Sequence, residues 1–279
     1  MNFIGNSAAK NLIERLAASE LPHVLLVGPT GHGKTSLVSY TKRRVVTVNG
    51  TAIEDRNDLY ACLKSVNEKD ILFIDEAHRL KANIQESLYD VLDQFKFHRI
   101  NGRGLHKAYD EIQLPKFSVF AGTTKEHELL QPLKNRMLII RLTSYSFLEL
   151  TEMARQRVNA DPEVPMILAE HCRGTPRILD KLCAMFNNFK FQTAIHAFEL
   201  VKMLNIFPQG LTNTEVEILK CLKNNQLSLN SLAAKLNLEE DVIKEEHEPY
   251  LVQKGLIERS RHGRELAKPG AEYLLKHNC

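Results

Sequence analysis

Apolar residues fall into two kinds of pattern along this chain. In the first half they form short, nearly unbroken blocks at Val24–Val27, Val45–Val48, Ile71–Ile74, Phe117–Ala121 and Met137–Leu142. Blocks of this kind predict strands buried on both faces of a parallel sheet. The segments 7–19, 34–43 and 55–66 have helical spacing, with Ser7 a candidate N-cap and Pro22 a stop. Alternating strands and helices place a ligand at the carboxyl ends of the strands. From about Phe147 the blocks cease. Helical spacing over 147–158, 163–172, 176–189 and 192–205, divided by Pro162, Pro165 and Gly174-Thr175-Pro176, predicts a small helical domain. Pro208-Gln209-Gly210 reads as a linker. Helical segments at 213–224, 228–236 and 239–254 follow, then Gly255–Arg259, a turn at His262-Gly263 and a last helix. Three helices and a short hairpin are the layout of a winged helix. The expected fold is therefore α/β: a parallel-sheet domain (1–143), a helical lid (144–207) and a winged-helix domain (208–279).

Motifs then fall where the pattern places a ligand. Gly28 through Thr35 (GPTGHGKT) satisfies G-x-x-x-x-G-K-[ST] directly after the first strand. Gly28, Gly31 and Gly33 let backbone N–H groups close around phosphates, and Lys34 reaches the β and γ oxygens. Thr35 offers a hydroxyl to Mg²⁺, and with Ser36 it opens a helix whose N-terminus favours anions. A plain glycine turn is the alternative. Asp75 and Glu76 end the Ile71–Ile74 block about forty residues later. Asp75 suits a hydrated Mg²⁺, and Glu76 suits the orientation and activation of water. Thr123 and Thr124 end the next strand, where a hydroxyl senses a γ-phosphate or simply caps a helix. Arg136 precedes the last strand and reads as a transition-state cation for a neighbouring subunit or as a solvated arginine. Arg177, beside Pro176 at the start of a lid helix, could reach the γ-phosphate from above and move one domain against another.

Composition narrows the class. The chain has 279 residues, ordinary apolar content, a net charge of +3 and a pI near 8.5. That charge permits nucleic-acid binding without demanding it. Five scattered cysteines without a C-x-x-C pair fit reduced thiols in a cytoplasmic protein. The first residues are not a signal peptide, and no run reaches the length of a membrane span.

Two basic features remain. Residues 95–114 predict a β-hairpin with Asn101-Gly102 as turn signal, carrying Lys96, His98, Arg99 and Arg103, with Phe95 and Phe97 packing on the body or on a partner. In the winged helix, helix 239–254 stands in the recognition position but carries Glu239, Glu240, Asp241, Glu245, Glu246 and Glu248. An acidic helix is a poor guest in a major groove. Arg259, Arg261, His262 and Arg264 gather in the wing instead, which reads either as backbone contact with little base reading or as a solvated basic face.

Taken with FIGN (3–6), GPTGHGKT, DILFIDEAHRL, AGTTK, PLKNR, RLTSY, RGTPRILDKL and EPYLVQKGLIERSRHGR, the chain closely resembles the RuvB family of AAA+ Holliday junction motors. The resemblance implies ATP and Mg²⁺ as cofactors, with Lys34, Thr35, Asp75 and Glu76 as the two Walker motifs. It assigns sensor 1 to Thr124, the arginine finger to Arg136 and sensor 2 to Arg177. Tyr145, with Phe3 and Ile4 beside it, would line the base, and Arg259 and Arg264 would touch the DNA backbone. It also implies a hexameric ring on duplex or branched DNA and a RuvA-like partner at hairpin 95–114. The chain departs from the family by starting almost at FIGN, by a shorter lid between 190 and 210, by Lys134 and His262, and at the hairpin tip (104–107). A compact divergent copy in a bacterium, phage or mobile element is the expectation. A loader that places another protein on DNA, and a nucleotide-gated adaptor with weak turnover, are the competing functions.

Overall fold

The computed structural model describes residues 4–19, 21–101 and 108–277, the side chains at 100, 101, 108 and 109 apart. The chain forms two compact units, 1–149 with 175–177, and 150–174 with 178–279.

In the first unit, α1 (Ser7–Ala17) precedes β1 (Val24–Val27), α2 (Lys34–Ser39), β2 (Val45–Asn49), α3 (Arg56–Lys64) and β3 (Ile71–Asp75). Then come α4 (Ala82–Ser87), α5 (Tyr89–Gln94), the hairpin strands β4 (Lys96–Asn101) and β5 (Ala108–Gln113), β6 (Ser118–Thr123), α6 (Gln131–Lys134), β7 (Leu138–Arg141) and α7 (Phe147–Arg155), whose start lies in this unit. The five strands β2-β3-β6-β1-β7 form one parallel sheet. Side-chain alternation divides its apolar positions between two cores. Leu25, Leu72, Ile74, Val119 and Ala121 join the core under α3 to α6. Val24, Leu26, Ile71, Phe73 and Phe120 join the core that includes Ile13 of α1 and Leu37 and Val38 of α2. Every residue of β6 is buried, which is why its sequence reads as a nearly unbroken apolar block, with Ser118 and Thr123 as its buried polar members. Ser7 is the first helical residue rather than the cap. Asn6 precedes it with φ 45° and makes no capping bond. Its side chain instead accepts the Thr143 N–H at 2.8 Å and donates to the Thr143 carbonyl at 3.2 Å.

The second unit takes in most of α7, α8 (Val164–His171), most of α9 (Pro176–Asn188) and α10 (Ala194–Met203), then the short strands β8 (Ile206–Phe207) and β9 (Leu211–Thr212). These pair antiparallel around residues 208–210, where the sequence suggests a linker. The winged helix follows with α11 (Asn213–Leu222), α12 (Leu229–Leu236), α13 (Glu240–Val242), α14 (Glu248–Gln253), β10 (Ile257–Ser260), β11 (Gly263–Leu266) and α15 (Lys268–Lys276). The single helix expected over 239–254 is interrupted by a π-helical turn at Ile243–His247. Pro249 accounts for the break, because it has no N–H to give the carbonyl of the preceding turn. No described helix is long and apolar enough to cross a membrane.

Candidate nucleotide site and wing

β1 runs into the glycine loop between its two sheet neighbours, β6 and β7. Gly31 and Gly33 have φ of 76° and 84°, a conformation that would strain any other residue here. A side chain at Gly31 would also meet Thr175 and Arg177 at 3.0 Å, so the segment opening α9 lies directly on the loop. Lys34 is buried, and its Nζ donates to the carbonyls of Gly28 at 2.8 Å and Pro29 at 3.2 Å. Thr35 and Ser36 are exposed on the first turn of α2.

Four charges converge here. Burial lowers the Lys34 pKa, Glu76 and Asp75 raise it, and Arg177 lowers it further. Among the described residues none of the four forms an ion pair with another of them. Asp75 ends β3 and its Oδ1 accepts the N–H of Glu76 at 3.0 Å. Glu76 has φ 51°, a left-handed conformation that costs on the order of 1–3 kcal/mol outside glycine and is typical of functional positions.

The two threonines separate by environment. Thr123 is fully buried at the end of β6, and its Oγ1 accepts the Lys125 N–H at 3.0 Å and lies 3.1 Å from His78 Nδ1. Thr124 is half-buried, one residue beyond the strand. His78, not singled out in the sequence, completes this corner: its Nδ1 is also 3.3 Å from Glu76 Oε2. Its place two residues after Glu76, in DEAH, is the signal that could have found it.

Tyr145 is buried and donates to the His32 carbonyl at 3.1 Å, and desolvation raises its pKa. Its ring also packs on Gly5, where a Cβ would come within 2.5 Å. The Ile4 segment is thereby held beside Tyr145 and the loop, while Phe3 lies outside the described residues. Arg136 is away from this cluster. Its Nε donates to Asp93 at 2.8 Å, Nη1 donates to the Pro132 carbonyl at 2.9 Å, and the guanidinium lies 4.7 Å from the Tyr89 ring centre. In the hairpin, Phe97 is buried and stacked on Tyr60, Phe95 packs against Phe117, and Lys96 pairs with Glu111 at 2.7 Å. Both phenylalanines thus pack on the body. The expected turn at Gly102, together with Arg103 and 104–107, lies outside the described residues.

The wing arginines have a partner that the sequence hid. Glu248 is only 1% exposed, and its carboxylate accepts from Arg259 Nε at 2.6 Å and from Arg264 Nε and Nη2 at 2.9 and 3.1 Å. Counted by sequence among surface acids, Glu248 instead sits inside the module and binds the wing to α14. Arg261 is exposed and has no ion-pair partner among the described residues.

With this geometry in view, the comparisons are specific. A family model described as the Holliday junction DNA helicase RuvB P-loop domain matches residues 3–142, and that of the RuvB C-terminal winged helix domain matches 208–275. The RuvB subunit of the Holliday junction branch migration complex of Staphylococcus saprophyticus is 30% identical over 305 residues, covering 99% of this chain and 90% of that protein. Its Lactobacillus johnsonii counterpart is 33% identical over 268 residues, covering 89% and 79%. The solved Thermotoga maritima RuvB, described as a Holliday junction branch migration motor, matches with a TM-score of 0.75 and 29% identity, covering 98% of this chain and 95% of that one. Matches to both modules and to whole-length relatives lead to one conclusion: the chain belongs to the RuvB family.

Proposed function

We propose that this protein is an ATP-driven motor that moves Holliday junction branch points during recombination and repair in the bacterial cytoplasm. The convergence of Lys34, Asp75, Glu76 and Arg177 on one glycine loop carries this reading. The site fits a nucleoside triphosphate: only glycine suits the left-handed positions of the loop, and the Lys34 ammonium rests on loop carbonyls that give no competing charge.

Bound ATP would supply the scissile phosphoanhydride, and Mg²⁺ would offset the negative charge of its phosphates. Thr35 and Asp75 would hold the metal. No group of three or more His, Cys, Asp or Glu side chains among the described residues could hold a metal by itself, which fits a cation that would arrive with the nucleotide and keep several waters. Lys34 and the loop N–H groups bind the phosphates. Glu76 orients the attacking water and takes its proton. Thr124 and Arg177 sense the γ-phosphate, the latter from the start of α9, and Pro176 and Tyr145 bound the nucleotide. Arg136 would leave Asp93 and enter the site of the next subunit in a hexameric ring. The division into 1–143, 144–207 and 208–279 gives that ring an ATPase body, a lid and a DNA-facing winged helix. Arg259, Arg261 and Arg264 would face DNA phosphates, and hairpin 95–114 would meet a RuvA-like partner.

The test is ATP turnover with and without four-way junction DNA, for the native chain and Glu76→Gln. Junction-stimulated turnover that falls by about 10²–10⁴-fold in the variant supports the motor. Nucleotide and junction binding without turnover would instead favour the adaptor.

A further inference from the structure

Glu76 has a fixed backbone and a nearly unsupported side chain. Its N–H is bound to Asp75 Oδ1 at 3.0 Å, and its carbonyl accepts the Arg79 N–H at 2.8 Å. A Cβ at Gly50 would come within 2.6 Å of that carbonyl, so the main chain is also packed in place. Among the described residues its carboxylate has one ion-pair contact within 4 Å, to His78 Nδ1 at 3.3 Å. His78 is buried and is itself tied 3.1 Å from Thr123 Oγ1, on the fully buried end of β6. Thr123 Oγ1 is the hydrogen-bond partner of Nδ1; Glu76 Oε2, at 3.3 Å, is a close polar contact rather than an aligned hydrogen bond, and it is attractive when Nδ1 carries the proton. Thr123 Oγ1 accepts from Lys125 N–H as well, which links the same imidazole to the loop after β6.

We propose that His78 is the positioning residue for Glu76: its buried imidazole, anchored on Thr123, holds the carboxylate in place relative to the end of β6 through the 3.3 Å Nδ1–Oε2 contact. The inference rests on Glu76 acting on water. It assigns His78 no contact with nucleotide. The loop carrying Thr124 would thus bear on the water-activating group through Thr123 and His78, without a direct bond to it. Misplacing a catalytic group by about 1 Å costs on the order of 100-fold in rate.

The test is steady-state ATP turnover of the full-length protein bearing His78→Leu, His78→Asn or His78→Gln, alone and with Glu76→Gln. Asparagine places an amide N–H close to the position of Nδ1, whereas glutamine carries its amide about one bond further. His78→Leu should lower kcat about 100-fold with KM for ATP within about twofold, and His78→Asn should recover about tenfold of that loss. His78→Gln should not recover, and His78→Leu should add nothing to Glu76→Gln. Thr123→Val should lower kcat in the same way by a smaller factor. If the leucine variant does not fold, the Asn-against-Gln contrast carries the test. Equal turnover in those two variants, a further loss on the Glu76→Gln background, or a rise in KM matching the fall in kcat would overturn the assignment. If Glu76→Gln itself hydrolyses ATP normally, the role of Glu76 fails first, and the contrast at position 78 then has no origin in it.

Discussion

The nucleotide site and the wing use charge in opposite ways. Around the glycine loop, Lys34, Asp75, Glu76 and Arg177 are near enough to shift a pKa but make no ion pair with one another. Lys34 rests on neutral carbonyls, so a phosphate can take its ammonium without first separating a salt bridge. In the wing, Arg259 and Arg264 are joined to one buried carboxylate. Unpaired charge there awaits a ligand, and paired charge here shapes a structure. The lesson for the wing is that a count of basic residues overstates the cation offered to DNA. Glu248 offsets one of the two charges, and Arg261 projects its own unopposed.

Arg136 lies between these cases and gives the largest expected effect. It is paired with Asp93 in the chain, yet a finger must leave that partner to serve a neighbour. Arg136→Ala should leave ATP binding nearly intact while turnover falls by about 10³-fold or more, measured by nucleotide titration beside steady-state hydrolysis. Normal hydrolysis would mean that the charge is structural, like those of the wing.

The next largest effect is expected for Glu248→Ala in the wing. The substitution leaves two partly exposed guanidinium groups without their carboxylate, and losing a charged hydrogen-bond partner of this kind costs about 1–3 kcal/mol. Denaturant unfolding should show that loss, with ATP turnover in the absence of DNA unchanged in the molecules that remain folded. An unchanged midpoint would remove the structural role assigned to the wing arginines. The smallest effect belongs to Arg261→Ala, which should weaken duplex binding equally across sequences and reduce the salt slope by about 1. If Arg264→Ala flattens the slope more than Arg261→Ala with no loss of stability, pairing with Glu248 does not withhold that charge from DNA.

The sequence made the sheet legible because β1, β3 and β6 are buried on both faces and so appear as nearly unbroken apolar blocks. The glycine loop was legible because a left-handed backbone leaves its mark in residue type at Gly31 and Gly33. Glu248 was not, since periodicity groups it with the acids before it. The helix is broken before Pro249 by the π-helical turn at Ile243–His247, with Glu248 buried at the start of α14, and this proline was the available clue. The neighbouring threonines pose the same difficulty. Spacing alone does not say which of Thr123 and Thr124 ends the strand, and burial of Thr123 against His78 follows only from the register of β6. The pairing of Arg136 with Asp93 joins residues 43 positions apart, which no local pattern encodes.

Branch-point movement on a synthetic four-way junction tests the motor most directly. The native protein with ATP should convert a labelled junction into its two duplex products, and Glu76→Gln should bind the junction without converting it. ATP hydrolysis stimulated by the junction but never accompanied by conversion would contradict the motor and leave a loader in its place.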